Sequence, residues 1–121
     1  MTSTNRERLK TLYKKYQLTK DDIYPLKFGN KEIPIITRTG IDKIQAIEKI
    51  KINYDCIEYT PGISAAAKAT ATFKDLLIES FGEANNKNNK NSYPLAMAEK
   101  RAMSRVILKR TGFYELGVYG E

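Results

Sequence analysis

Three basic side chains near the carboxyl end of the chain have the spacing that best supports a chemical role. Arg101, Arg105 and Lys109 recur at every fourth position, so in a helix they would form a line of positive charge along one face. Like charges at that spacing repel by about 0.2–0.5 kcal/mol per pair, and the phosphates of a nucleic-acid backbone would neutralise them. The spacing favours phosphate binding, and the alternative interpretation is a solvated helix face with no ligand.

The placement of the net charge supports phosphate binding. The 121 residues include 21 lysines and arginines against 14 aspartates and glutamates, which gives a net charge of +7. Residues 85–110 hold seven of those cations and a single acidic residue, Glu99, so the rest of the chain is nearly neutral. A concentrated basic segment is typical of proteins with polyanionic partners. We therefore expect a nucleic acid, in preference to a membrane, as the partner.

The residues needed for most enzyme chemistry are missing. The chain has no histidine and a single cysteine, Cys56, so it lacks the usual zinc ligand sets, an intrachain disulfide and histidine-based acid-base groups. It contains none of the common nucleotide-binding, zinc-protease or serine-hydrolase motifs. One enzymatic alternative is a magnesium-dependent nuclease with carboxylates on neighbouring predicted strands, namely Asp55, Glu58, Glu79 and Glu83. We expect no enzyme activity, no cofactor and no metal.

The amino-terminal residues predict one helix followed by a connection. Thr4 and Glu7 form a capping box, and apolar residues at helical spacing follow them, which predicts an amphipathic helix within residues 1–18. Residues 19–29 contain proline and glycine among polar side chains. We therefore expect a connection there, with one extra helical turn at 20–24.

The next residues predict a short strand that leads into a second helix. Residues 33–37 favour a strand, although Pro34 is tolerated only at a strand start or a sheet edge. Isoleucine then recurs at every third residue over 41–50, which predicts a helix of about three turns with one buried face. Thr37 or Thr39 could cap this helix.

A three-stranded meander follows the second helix. Residues 51–60 form its first predicted strand, whose alternation slips at Cys56 and Ile57 as a β-bulge would require. The second strand carries alanine at every other position, so one of its faces permits close packing by a helix. The third contains Gly82, where a close backbone approach would suit. These two strands are predicted at 63–73 and 76–84.

The last helix is the most clearly marked element. Ser92 can cap it, Pro94 suits its first turn, and no glycine or proline interrupts residues 95–110 before Gly112 ends it. The preceding residues, 85–91, are asparagine and lysine alone. We therefore expect a mobile loop before the helix.

These elements together predict one domain of the α+β class over residues 1–121. Its core, residues 33–116, would be a β-β-β-α unit in which a three-stranded antiparallel meander packs on the long basic helix. A helix and a short strand-helix unit would precede this meander. No apolar stretch is long enough to span a bilayer, and the amino terminus carries charges where a secretory signal is apolar. We therefore expect a cytoplasmic protein.

The segment from Tyr54 to Gly112 resembles the Rad-fifty-two superfamily of single-strand annealing proteins. The resemblance lies in the meander, in the third strand with its SFGEA sequence, and in the long helix AMAEKRAMSRVILKRTG. The residues ITRTGIDKIQAIEKI match the strand and helix that precede the core in that superfamily, so the resemblance covers about 33–116. The chain also resembles short phage-encoded proteins in which a similar helix is followed by a GVYGE-like tail.

The resemblance implies ATP-independent binding and annealing of single-stranded DNA in phage homologous recombination and repair. Proteins of this superfamily assemble into rings or helical filaments, and a basic groove holds the DNA backbone while the bases stay free to pair. A homo-oligomer, single-stranded DNA and phage or host recombination proteins are the implied partners. The implied location is the cytoplasm of the bacterial host.

The residues that we expect to bind nucleic acid are the cations of the last helix and two near the upstream helix. Arg38 lies just before that upstream helix, where backbone N–H groups could also receive a phosphate, although Arg38 could instead pair with Asp42. Lys87 and Lys90 are expected mainly to keep the polar loop soluble. The full set is Arg38, Lys43, Lys100, Arg101, Arg105, Lys109 and Arg110.

The aromatic residues divide between the core and the surface. Tyr54, Tyr59 and Phe73 lie at predicted strand positions that favour the core over stacking on bases. Tyr93 lies beside the polar loop and is the better candidate for stacking on a base.

Two other functions remain open on the sequence. A double-stranded RNA-binding module also has a three-stranded sheet followed by a helix whose first lysines contact phosphates. Against it, two elements precede the meander and the basic line continues to the far end of the helix. A structural or adaptor protein is the other alternative, in which the alanine face and the tyrosine-rich helix would serve oligomerisation.

Overall fold

The computed structural model describes residues 3–73, 76–85, 87 and 93–120. Within these residues it has three α-helices and two three-stranded sheets, so the α+β class is confirmed. The chain divides into a terminal unit, Met1–Lys49 with Leu108–Glu121, and a central unit, Ile50–Ile107. The elements are α1 Ser3–Lys15, β1 Ile23–Phe28, β2 Lys31–Ile36, α2 Arg38–Glu48, β3 Lys51–Thr60, β4 Ser64–Phe73, β5 Leu76–Ala84, α3 Pro94–Thr111 and β6 Tyr119–Gly120.

The sheet of the terminal unit has the order β1-β2-β6, with β1 antiparallel and β6 parallel to β2. The extra helical turn predicted at 20–24 is wrong, because residues from Ile23 onward pair with β2 instead. Pro25 lies opposite Pro34 in this pairing. Proline has no backbone N–H, so two prolines can lie opposite each other only at a non-hydrogen-bonded pair of an antiparallel ladder. Both rings are therefore accommodated without the loss of a hydrogen bond between β1 and β2.

Helix α2 begins where the sequence predicts a cap. The Thr37 hydroxyl accepts a hydrogen bond from the Gly40 backbone N–H at 3.2 Å, which satisfies one of the free donors of the first turn. A Cβ at Gly40 would lie 2.6 Å from Cγ2 of Ile36. The glycine therefore permits close packing of α2 on the end of β2, and Ile41 and Ile44 are fully buried.

Aromatic rings pack α1 against the residues that follow α3. Tyr13 stacks on Phe113 with ring centroids 5.9 Å apart, and Tyr16 meets the same ring at 5.9 Å. Phe113 and Tyr16 are almost completely buried. Gly112 adopts a φ of +90°, a conformation that costs glycine little, and it ends α3 as predicted.

The central unit contains the predicted meander. Strands β3, β4 and β5 pair antiparallel in that order, and the register shifts between Cys56 and Glu58, so the predicted β-bulge is confirmed. The alternate alanines of β4 are at most 3% exposed and form the buried face of the sheet. These residues are Ala65, Ala67, Ala69 and Ala71.

Helix α3 lies directly against β5 at Gly82. A Cβ added to Gly82 would come within 3.0 Å of the Ala98 carbonyl oxygen and the Ala102 nitrogen, so only glycine fits there. Ala98 is fully buried and clusters with Ala65, Ala67 and Ala84. Small side chains on both elements thus bring helix and sheet backbones together, as the sequence predicts.

Three sequence expectations fall partly or wholly outside the described residues. The cap at Ser92 and the side chain of Phe73 lie outside them. Of the polar segment 85–91, only residues 85 and 87 are described.

Candidate nucleic-acid interface

The buried face of α3 determines which of its cations reach the surface. Ala98, Ala102, Met103 and Val106 are buried, as the helical periodicity predicts. The basic residues lie on the remaining faces and are half-buried or exposed. They are Lys100, Arg101, Arg105, Lys109 and Arg110.

Two arginines of α3 reach the backbone of β5. Arg101 donates from Nη1 to the Glu83 carbonyl oxygen at 2.7 Å, and Arg105 donates from Nη1 to the Phe81 carbonyl oxygen at 2.6 Å. Four residues along a helix span about 6 Å, and two residues along a strand span about 7 Å. The i, i+4 arginines therefore match carbonyl groups two residues apart, and α3 runs antiparallel to β5.

This arrangement covers an edge of the central sheet. Within the described residues β5 pairs only with β4, and an uncovered strand edge is a template for unwanted pairing. The line of cations that the sequence predicts along α3 does not face solvent throughout, because Arg101 and Arg105 are both half-buried and hydrogen-bonded. The physical reason is the close approach at Gly82, which brings α3 within reach of the strand backbone.

The contact leaves the charge of Arg105 available. A guanidinium has five N–H donors, and the described partner of Arg105 is a neutral carbonyl. No carboxylate of the described part of the chain forms an ion pair with Arg105. The side chain is therefore a positively charged group held in a fixed position.

The remaining cations of α3 differ in their surroundings. Lys100 is half-buried and has no ion pair with a described residue. Lys109 is exposed, and its Nζ lies 5.7 Å from the centre of the Tyr114 ring, within the range of a cation–π contact. Arg110 is half-buried, and its charge affects Glu48 in the terminal unit.

Glu48 contacts the adjacent residues Lys15 and Tyr16 and lies within the electrostatic influence of Arg110. The Tyr16 hydroxyl donates to its Oε1, and Lys15 Nζ lies 3.0 Å from the same oxygen. These hydrogen bonds, with the smaller effect of the Arg110 charge, hold the pKa of Glu48 below its usual value. Burial and the bond to Glu48 raise the pKa of Tyr16. Arg110 therefore contributes to a structural network of the terminal unit.

The two upstream candidates are engaged in ion pairs. Arg38 is the first residue of α2, and its Nε lies 3.4 Å from Asp42 Oδ1, which is the pairing that the sequence left open. Lys43 donates from Nζ to Asp22 Oδ2 at 2.7 Å, and that carboxyl is only 4% exposed. Burial raises the pKa of Asp22, but the hydrogen bonds from Lys43 and Thr19 outweigh it and lower the pKa overall. Lys43 therefore stabilises a buried carboxylate.

One face of the central sheet is acidic on balance, since by the strand register four carboxylates share it with Lys51 and Lys68. By the strand register, the four carboxylates that the sequence places on neighbouring strands share the face opposite the buried alanines. Asp55 lies 3.8 Å from Lys68, and Glu58 accepts hydrogen bonds from Thr60 and Ser64. No group of three or more potential metal ligands occurs among the residues that the structure describes.

The aromatic candidates are more exposed than predicted. Tyr54 and Tyr59 are 38% and 48% exposed, so their assignment to the core is wrong. Tyr54 pairs with Ala69 and Tyr59 with Ala65, so both tyrosines lie on the alanine face of the sheet. Helix α3 packs on this sheet at β5, whereas the two tyrosines lie on β3, at the other side of β4. Tyr93 is 69% exposed, and its role in stacking stays a prediction.

The sequence reasoning missed a second basic line, on α1. Arg6, Lys10 and Lys14 recur at every fourth position and are all exposed. The spacing that singles out Arg101, Arg105 and Lys109 is equally present here, and α1 also holds five cations against a single acidic residue, Glu7. A test for i, i+4, i+8 cations on every predicted helix would have found the line.

Comparisons with known proteins add no assignment. A scan of protein-family models, a search of curated proteins and a search of solved structures each returned no match. Among the described helices none is long and apolar enough to cross a membrane.

Proposed function

We propose that this protein binds single-stranded DNA through its backbone and anneals complementary strands without ATP. The observation that carries the proposal is Arg105, a positioned arginine whose described hydrogen-bond partner is neutral. Lys100 on the same helix adds a second cation with no ion pair in the described part of the chain. Contacts to phosphate supply affinity and carry no sequence information.

The physical requirements of annealing agree with this kind of site. Annealing needs a strand that is held while its bases remain free to pair, and neutralisation of phosphates alone satisfies that need. The acidic face of the central sheet would repel phosphates, so bound DNA is directed to the basic surfaces. The exposed ring of Tyr93 provides a face on which one base could stack.

A homo-oligomer, as a ring or filament, is part of the proposal. The central unit exposes large apolar side chains, among them Ile57, Leu76, Leu77 and Phe81, each more than half exposed. By the strand register Leu77 and Phe81 share one face of the sheet, and exposed apolar patches are typical of protein interaction surfaces. We place the assembly in the cytoplasm, with single-stranded DNA and other recombination proteins as partners.

An annealing assay tests the proposal. Two complementary labelled oligonucleotides are mixed with the protein in the absence of nucleotide, and light scattering gives the mass of the assembly. We expect faster annealing by an oligomer, and we expect Lys100→Gln combined with Arg105→Gln to slow it. A matched control, Lys27→Gln combined with Lys31→Gln, removes two exposed cations elsewhere and should anneal at the wild-type rate.

Other outcomes would assign a different function. A monomer that ignores single strands but retards duplex RNA would identify an RNA-binding module. Failure to bind either nucleic acid would favour a structural adaptor.

A further inference from the structure

Helix α1 carries a line of positive charge that its packing does not use. The side chains of Arg6, Lys10 and Lys14 are exposed, and none forms an ion pair or hydrogen bond with another residue of the described ranges. The other two cations of the helix are engaged. Arg8 lies 2.8 Å from Glu115, and Lys15 lies 3.0 Å from Glu48.

The line is unfavourable for the helix itself. The first turn of α1 contains no acidic residue, and Arg6 lies there, at the positive end of the helix dipole. Arg6 and Lys10, and then Lys10 and Lys14, are like-charged pairs at i, i+4, which repel. The nearby Glu7 forms no ion pair with a described residue. An anionic ligand would relieve both effects.

A membrane surface is a poor candidate for that ligand. A helix that lies on a membrane inserts an apolar face between the lipids. The apolar face of α1 is already used in the fold, because Leu9 is 8% and Tyr16 is 1% exposed and Tyr13 stacks on Phe113. What α1 offers to a partner is its charged face.

We infer that Arg6, Lys10 and Lys14 form a second phosphate-binding site, whose ligand is the sugar-phosphate backbone of a single-stranded nucleic acid. The choice of ligand rests on the proposed function. The three positions extend over about 12 Å of helix, and a flexible strand can bring successive phosphates to them. Lys10 and Lys14 also border a shallow depression with Thr11 and Tyr13. The site belongs to the terminal unit, whereas Arg105 belongs to the central unit.

The test compares two variants that lose the same charge. In the first, Arg6, Lys10 and Lys14 are all replaced by glutamine. In the control, Lys20, Lys27 and Lys31 are replaced by glutamine, since they are exposed cations of the same unit that are not part of α1. Glutamine has nearly the helix propensity of lysine and arginine, and it removes the repulsion along α1. We therefore expect the α1 variant to melt at or slightly above the wild-type temperature and the control to melt at the wild-type temperature.

The readout is the affinity for a labelled single-stranded oligonucleotide at several salt concentrations. Each phosphate contact contributes about −0.7 to the slope of log affinity against log salt, so three lost contacts reduce the slope by about 2 and weaken binding about a hundredfold at 0.1 M salt. We expect this loss in the α1 variant and a change of only a few fold in the control. Photocrosslinking with bromodeoxyuridine oligonucleotides should label the α1 peptide of the wild type.

The possible failures are distinguishable. A wild-type protein that binds no single strand would overturn the proposed function and this inference together. A wild type that binds while the α1 variant matches it, or while both variants weaken equally, would overturn this inference alone. If the triple variant does not fold, Lys10→Gln and Lys14→Gln are tested singly, and each should lower the slope by about 0.7. An unchanged slope in both would refute the site.

Discussion

Arg105 contributes to packing and to surface charge at once. Its Nη1 donates to the Phe81 carbonyl at 2.6 Å and covers part of the β5 edge, while its positive charge has no carboxylate partner in the described residues. Lys100, on the same helix, has no described hydrogen bond to lose. The two side chains therefore allow the structural role of a cation to be separated from its proposed role in binding.

Replacing Arg105 by glutamine should lower the free energy of unfolding by about 1 kcal/mol, since one hydrogen bond from a half-exposed charged donor is lost. Replacing Lys100 by glutamine should change it by less than about 0.5 kcal/mol. Urea unfolding followed by circular dichroism measures both. Equal stabilities for the two variants would show that the contact of Arg105 with β5 contributes nothing in solution.

Asp22 should make stability depend on pH. The pKa of its carboxyl is lower in the folded protein than its ordinary value, because the hydrogen bonds from Lys43 and Thr19 outweigh the effect of burial. When the folded pKa lies below the unfolded one, the stabilisation is complete above the unfolded value, about 4, and is lost as the pH falls through the folded value. Glu48, whose pKa is also lowered, acts in the same direction.

We therefore expect the melting temperature to fall between pH 5 and pH 3, and to fall less in Asp22→Asn than in the wild type. Asp21→Asn is the matched control, because Asp21 is the residue next to Asp22 and its exposed side chain forms no ion pair with a described residue. It should keep the wild-type pH dependence. The same acid-induced fall in Asp22→Asn as in the wild type would contradict the assignment to Asp22.

At the scale of elements, α3 packs directly against β5 in the central unit. Gly82→Ala would place a Cβ within 3.0 Å of backbone atoms of Ala98 and Ala102, which cannot move without displacing the helix. We expect a loss of about 3 kcal/mol or more, measured by denaturant unfolding. Gly62→Ala is the control, because a Cβ there meets nothing within 4 Å and only the positive φ is unfavourable. A similar, small loss in both variants would contradict the close contact.

The sequence predicted those elements that local signals determine. Helix α3 has its proline at the start and Gly112 at the end, and β4 has its alternating alanines, so their positions could be read directly. Strand β1 could not, because its residues pair with β2 without a strong alternation of their own. The hydrogen bonds from Arg101 and Arg105 to β5 could not be predicted from the sequence, because every residue has a backbone carbonyl group and the sequence does not indicate which one an arginine will reach.

At the scale of the whole molecule, the net charge of +7 is distributed over surfaces of different kinds. Some cations are structural, as Lys43 is with Asp22, while others have no acidic partner in the described residues, as is the case for Arg6, Lys10 and Lys14. The acidic face of the central sheet shows that the positive charge is not uniform. A partner with regularly spaced negative charge would distinguish between these surfaces, and a nucleic-acid backbone has that property.

The most direct test of the central claim is the salt dependence of the affinity for single-stranded DNA. The affinity of the wild-type protein for oligonucleotides of two unrelated sequences would be measured between about 50 and 200 mM salt. The account predicts a steep linear fall of log affinity with log salt, about −0.7 per phosphate contacted, and equal affinities for the two sequences. An affinity independent of salt, or no binding at low salt, would contradict it.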